Sequence, residues 1–258
     1  MNSKAQKLEA FSRLLDVMDD LREKCPWDMK QTNESLRHLT IEETYELSDA
    51  ILKNDATEIK KELGDVLLHL VFYARIGSEK KQFDIADVCN SLCDKLIYRH
   101  PHIYGDVKAD TAEQVKENWE QLKLKEGNKS VLSGVTKGTP SIVKALRMQE
   151  KAAQVGFDWP TPAEVWAKVD EELAELKEEF TENPSSEKTE KEFGDYLFSL
   201  INLARKYNIN PDDALEKTNQ KFIERFQYIE EKAKGLNKQL TEMTLEEMDV
   251  FWNEAKKR

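Results

Sequence analysis

The sequence predicts an all-α protein made of two tandem four- to five-helix modules, and three observations carry that prediction. Apolar residues recur at three- and four-residue spacing along almost every segment, the period of a helix with one buried face. No segment of useful length alternates with the period of two that a half-buried strand requires. A pattern of carboxylates occurs twice: Glu42-Glu43-Thr44-Tyr45-Glu46 then Glu62-Leu63-Gly64-Asp65, and Glu171-Glu172-Leu173-Ala174-Glu175 then Glu192-Phe193-Gly194-Asp195. The two copies keep nearly the same gap, so the chain reads as a duplication with modules at 1–130 and 131–258.

In the first module, Leu8, Phe11, Leu14, Leu15, Met18 and Leu21 mark a helix over 4–23 that Cys25-Pro26-Trp27-Asp28 interrupts. A helix over 33–53 carries the first EExxE. The next, 57–76, is apolar nearly all round through Ile59, Leu63, Val66, Leu67, Leu70, Val71, Phe72 and Ile76, and is expected at the centre. A helix from Phe83 to about Tyr98 closes at Arg99-His100-Pro101-His102, and another is expected over 111–125 with Trp119 near its end. The stretch 126–140, with Gly127, Gly134, Gly138 and Pro140, reads as a loop between the modules. The second half repeats the plan, with helices over 141–154, 162–180, 188–207, 211–234 and 244–257 and a break at Val155-Gly156-Phe157-Asp158-Trp159-Pro160.

Chemistry enters with the carboxylates. On a helix Glu172 and Glu175 are i,i+3 neighbours, Glu171 and Glu175 are i,i+4, and Glu192 with Asp195 repeats the pairing one helix later. Two antiparallel helices therefore bring four or five carboxylates together. Such a cluster is reasonable away from water only if cations neutralise it, and an all-oxygen ligand set suits Mg²⁺ or Mn²⁺. A single Glu-rich face is more often solvated surface, but two matched copies argue against that. Gly64 and Gly194, beside the aspartates, cost helix propensity and suggest that another backbone or a ligand comes close there.

Composition narrows the function. The 258 residues carry a net charge of −11 with 34% charged residues, and the mean hydropathy is −0.71. So acidic a chain does not attract nucleic acid by its overall field, and anion binding has to be local and metal-mediated. No apolar run is long enough to span a membrane and no signal-peptide core is visible, so the expected location is the cytoplasm. Cys25, Cys89 and Cys93 form no disulfide-like framework and read as reduced thiols.

Taken together, the duplicated EExxE…ExxD pattern, Cys25-Pro26-Trp27-Asp28, Arg99-His100-Pro101-His102 and Val155-Gly156-Phe157-Asp158-Trp159 resemble the MazG family of nucleoside triphosphate pyrophosphohydrolases. The resemblance spans both halves. It implies an all-α, Mg²⁺-dependent homodimer that converts a nucleoside triphosphate to the monophosphate and pyrophosphate and clears non-standard or excess nucleotides. It assigns Glu172, Glu175, Glu192 and Asp195 as metal ligands, with Glu171 placed to orient a water or share a metal. Lys168, Lys188, Lys221 and Arg225 would meet phosphate oxygens, and Trp252 would pack near the nucleotide. Glu42, Glu43, Glu46, Glu62 and Asp65 form the matching second cluster, with Lys95, Arg99 and Trp119 standing where Lys221, Arg225 and Trp252 do.

Each assignment has a plainer counterpart: the lysines as surface ion pairs, the tryptophans as core, Arg99-His100-Pro101-His102 as a helix terminus. From other classes, a metal- or partner-binding regulator remains, but both full carboxylate clusters argue against it. Single-module all-α pyrophosphohydrolases, of the dUTPase or phosphoribosyl-ATP type, are half this length. The two copies also differ. Leu39 and Glu58 stand where Lys168 and Lys188 do, so the second copy is expected to carry most turnover.

Overall fold

The computed structural model describes residues 1–111, 114–115, 118–119, 122, 130–182 and 184–257. All regular structure among these is helical. Contacts divide the chain into two compact units, Met1–Trp119 and Glu120–Arg258.

The first unit holds α1 (Lys4–Lys24), a 3₁₀ turn (Asp28–Lys30), α2 (Asn33–Leu52), α3 (Ala56–Glu79), α4 (Ile85–Arg99) and α5 (Pro101–Tyr104). Local chemistry sets the boundaries. Ser3 with Gln6 and Thr32 with Ser35 form reciprocal capping boxes at α1 and α2, and Asp55 and Asp84 cap α3 and α4. Asn54, at φ 55°, turns the chain in the left-handed region between α2 and α3. That tight turn makes α2 and α3 antiparallel neighbours, which brings the two parts of the carboxylate pattern together.

Met18, Leu36, Val71, Phe72 and Ile76 form the buried core, with Phe11, Leu14, Leu15, Leu39, Leu68 and Tyr73 packed against it. Arg22 ties three pieces together. It donates to both carboxylate oxygens of Glu79 at 2.9 Å, reaches the Asp28 carbonyl, and lies 5.5 Å from the Phe72 ring centroid. α3 is central, as its apolar run implies, but only on one side: Leu63, Leu67 and Leu70 are exposed. α5 is an unexpected extra turn, begun by Pro101 at a first-turn position where a missing N–H costs nothing. The helix expected over 111–125 falls largely outside the described residues. Of the loop expected over 126–140, residues 126–129 lie outside them, and 130–140 hold turns and bends with no helix.

The second unit holds α6 (Ser141–Gln154), α7 (Pro162–Glu182), α8 (Glu187–Lys206), α9 (Pro211–Gly235), a 3₁₀ turn (Leu240–Glu242) and α10 (Leu245–Ala255). α7 and α8 pair as α2 and α3 do, around Val165, Val169 and Leu203 with Tyr196 and Leu200. Ser186, Asn210 and Thr244 cap α8, α9 and α10. Asp158, in the break after α6, is clasped by Arg205 and Lys206 of α8, at 3.1 Å from Arg205 Nη1 and 2.7 Å from Lys206 Nζ. That clasp fixes the Phe157-Asp158-Trp159 segment onto α8.

Candidate metal and triphosphate site

α7 and α8 present their acidic faces to each other. Carboxylate oxygens of Glu172, Glu192 and Asp195 all lie within 4.8 Å of one another, and those of Glu43, Glu62 and Asp65 do the same in the first unit. In each trio the first glutamate comes from one helix and the ExxD pair from the next. Glu172 and Glu62 are buried, whereas Asp195 is exposed.

Placing like charges this close has a visible consequence. Loss of solvation raises the Glu192 carboxyl above its ordinary range, and repulsion from Glu175 and Asp195 adds to it. Glu43 is raised likewise, by burial first and then by Asp65, Glu46, Glu62 and Glu42. Glu175 and Glu46 thus stand beside the trios without joining the close set, as does Glu42. Three convergent carboxylate oxygens fit a hard divalent cation and no soft one.

Lys168 bridges Glu171 at 2.9 Å and Glu172 at 2.7 Å, and these hydrogen bonds, Glu172's foremost, raise its ammonium pKa. Lys188 instead pairs with Glu179, a buried carboxylate two turns beyond Glu172 on α7. The two lysines therefore flank the carboxylate row at opposite ends. Glu179 escaped the sequence reading, although its spacing of seven from Glu172 puts it on the same helix face.

Lys221, Arg225 and Trp252 form a second group where α10 packs on α9. Arg225 lies 5.4 Å from the Trp252 ring centroid and Phe222 tilts against the same ring at 5.2 Å. Lys221 and Arg225 border a surface hollow of about 470 Å³. Among the described residues no hydrogen bond or ion pair joins this group to the carboxylates. In the first unit Trp119 meets His100, ring centroids 5.5 Å apart, next to Arg99; Lys95 is exposed. Cys25, Cys89 and Cys93 are free thiols. A Cβ added at Gly64 or Gly194 would meet nothing within 4 Å beyond its own helix backbone, so no described residue packs closely enough to require those glycines.

The family model for the MazG nucleotide pyrophosphohydrolase domain matches twice, over residues 31–104 and 161–229. Each match takes in the helix pair that carries a trio. The chain belongs to the MazG family. It is 44% identical over 251 residues to the nucleoside triphosphate pyrophosphohydrolase/pyrophosphatase MazG of Thermotoga maritima, spanning 95% of both chains. It is 37% identical over 259 residues to the nucleoside triphosphate pyrophosphohydrolase of Escherichia coli, spanning 97% of this chain and 98% of that one. The uncharacterized protein YabN of Bacillus subtilis is 45% identical over 251 residues, which is 95% of this chain but 51% of its own. Both MazG modules keep the trio, while the basic residues around it differ.

Proposed function

We propose that this chain hydrolyses nucleoside triphosphates to the monophosphate and pyrophosphate, chiefly in its C-terminal module and with Mg²⁺, for which Mn²⁺ can substitute. The observation that carries the reading is the Glu172, Glu192, Asp195 trio, whose oxygens converge within 4.8 Å of one another. Glu172, Glu192 and Asp195 would hold the ion, with Glu175 adjoining. When bound, the metal supplies charge neutralisation for the phosphates and lowers the pKa of a coordinated water.

The chain's own residues do the rest. Lys168 remains cationic because two glutamates hold its protons, and it fixes Glu171 and Glu172 in place. Glu171, exposed and so fixed, is placed to orient a water. Lys168 and Lys188 bound the row at its two ends, where a chain of phosphates laid along it would meet positive charge. Lys221, Arg225 and Trp252 are further contacts for the nucleotide in this reading, from α9 and α10.

The N-terminal module is structural or regulatory in the same reading. Leu39 takes the place of Lys168, and Glu58 that of Lys188. Its buried Glu62 draws its cation from Lys61 at 2.8 Å. The reading also includes a homodimer acting on the cytoplasmic nucleotide pool, clearing excess or non-standard triphosphates. Phe193 and Leu197, exposed at i,i+4 on α8, supply apolar surface for such a pairing.

The deciding experiment incubates ribo- and deoxyribonucleoside triphosphates with the protein and Mg²⁺ and identifies the products. Monophosphate and pyrophosphate are expected. Diphosphate with inorganic phosphate as the primary products would overturn the reading.

A further inference from the structure

Each module has a polar tie across the helix pair that carries its trio, and the two ties differ in kind. In the C-terminal module Lys188 of α8 pairs with Glu179 of α7. Ala50 and Glu58 hold the matching positions in the N-terminal module, where that ion pair cannot form. There Thr40 of α2 meets two residues of α3 instead, its Oγ1 lying 2.7 Å from His69 Nδ1 and 2.7 Å from the Tyr73 hydroxyl. The C-terminal module has Val169, Ser199 and Leu203 at the positions matching these three. Val169 and Leu203 belong to its apolar core, and Ser199 Oγ turns back to the Tyr196 carbonyl.

Hydrogen-bond arithmetic fixes the roles in the N-terminal tie. Thr40 Oγ1 also lies 3.0 Å from the Leu36 carbonyl, which can only accept, so the single hydroxyl proton goes there. His69 Nδ1–H and the Tyr73 hydroxyl then both donate to the Thr40 oxygen, and the imidazole is the neutral Nδ1–H form. His69 is 6% exposed, and burial pushes its pKa down against the opposing pull of Asp65. An uncharged donor therefore joins α2 to α3, three residues from Glu43 on one helix and four from Asp65 on the other.

That position matters because the trio pushes its own helices apart. Glu43, Glu62 and Asp65 converge within 4.8 Å of one another, and Leu39 replaces the lysine that, as Lys168, bonds Glu172 in the other module. Lys61 bonds Glu62 Oε1, but Oε2 of this residue, 3% exposed, has no hydrogen-bond partner among the described residues. A neutral tie holds the helices together without occupying a carboxylate oxygen, whereas Lys168 already occupies Glu172 in the C-terminal module. We propose that His69, through Thr40 and with Tyr73, is a positioning residue that keeps the N-terminal trio assembled, so that this module binds a divalent cation in the absence of nucleotide. The proposal rests on the reading of the trios as cation sites.

Its test titrates Mn²⁺ into the full chain without nucleotide and follows the free ion by electron paramagnetic resonance, in a Glu192→Gln, Asp195→Asn background that removes the C-terminal trio. Uptake of one ion is expected. His69→Ser, which copies the C-terminal module, should weaken it about tenfold, the usual cost of losing a group that orients a metal ligand. His69→Asn keeps an N–H where Nδ1–H stands and should retain most of the affinity. Tyr73→Phe keeps the ring and its packing and should weaken uptake several-fold, which exposes the proposal even if His69→Ser does not fold. Metal-free melts run beside the titrations. A lower Tm for His69→Ser with unchanged Mn²⁺ affinity, His69→Asn as weak as His69→Ser, Tyr73→Phe equal to the background protein, or no Mn²⁺ uptake by the background protein overturns the proposal. Triphosphate hydrolysis by the wild type, measured separately, keeps the two readings apart. His69-dependent uptake without hydrolysis sinks the hydrolase and spares the tie, and hydrolysis without N-terminal uptake does the reverse.

Discussion

Lys188 is bonded to Glu179 across the α7–α8 pair, and the positions matching both residues in the first module are changed together. Aligning Glu172 with Glu43 sets Glu179 against Ala50, and aligning Glu192 with Glu62 sets Lys188 against Glu58. The lysine is thus held at one end of the carboxylate row by a buried partner that exists only in the module that keeps it. Lys188→Ala is expected to raise KM for a triphosphate about tenfold, as loss of one charge-assisted contact does, and to lower Tm by stranding Glu179. Adding Glu179→Ala should restore Tm without restoring KM. Recovery of both together would mean that Lys188 serves only to neutralise Glu179.

The two trios invite a matched comparison. Glu172→Ala with Glu175→Ala should reduce turnover at least a hundredfold while helical circular dichroism is retained, because what is lost is mutually repelling carboxylate charge and not apolar core. Glu43→Ala with Glu46→Ala should leave most turnover in place. If the N-terminal pair abolishes activity and the C-terminal pair spares it, the roles of the modules are reversed.

How much of this the sequence made visible depended on periodicity. The α2–α3 and α7–α8 pairs, and the meeting of Glu172 with Glu192 and Asp195, follow from the i,i+3 and i,i+4 spacing and a short connection. Partner choice does not follow from spacing. Lys168 reaches back to its own helix and Lys188 across to Glu179, because a flexible four-carbon stem turns to the nearest buried carboxylate. The one-sided burial of α3 was hidden too, since an apolar stripe facing solvent and one facing a core are written with the same residues.

The glycines beside the aspartates give a prediction that separates fold from function. Beyond the helix's own backbone, no described residue lies within 4 Å of a Cβ at Gly194 or Gly64, so alanine there should stabilise the helix by about 1 kcal/mol. Gly77 is the control: its Cβ would meet the Phe83 ring at 2.8 Å, and Gly77→Ala should destabilise. If Gly194→Ala raises Tm and also lowers turnover, the glycine serves close approach of a ligand beside Asp195. If turnover is unaffected, that explanation of the glycine is wrong.

Asp158 and Glu192 titrate with opposite consequences for the stability of the C-terminal module. Burial works against ionisation of Asp158, yet hydrogen bonds from Arg205 and Lys206 outweigh it and hold the carboxyl below its usual range. A depressed pKa means stability that is present above the unfolded value and lost as pH falls through the folded one. Glu192 is raised, by desolvation and then by Glu175 and Asp195, so its contribution is present below the ordinary glutamate range and lost as pH rises through the folded value. At neutral pH the repulsion around Glu192 is therefore in force and a divalent cation relieves it. Mg²⁺ should raise Tm at pH 7, by an amount that shrinks as acid protonates Glu192 and its neighbours. Glu192→Gln should raise Tm without metal at pH 7 and reduce the Mg²⁺ response. Asp158→Asn should lower Tm at pH 7, costing on the order of 1–3 kcal/mol, and flatten the acid limb of the profile. Thermal melts from pH 3 to pH 8, with and without Mg²⁺, check both signs at once. A Mg²⁺ shift in Tm that persists undiminished at pH 3, or that survives Glu192→Gln at full size, would place the cation elsewhere.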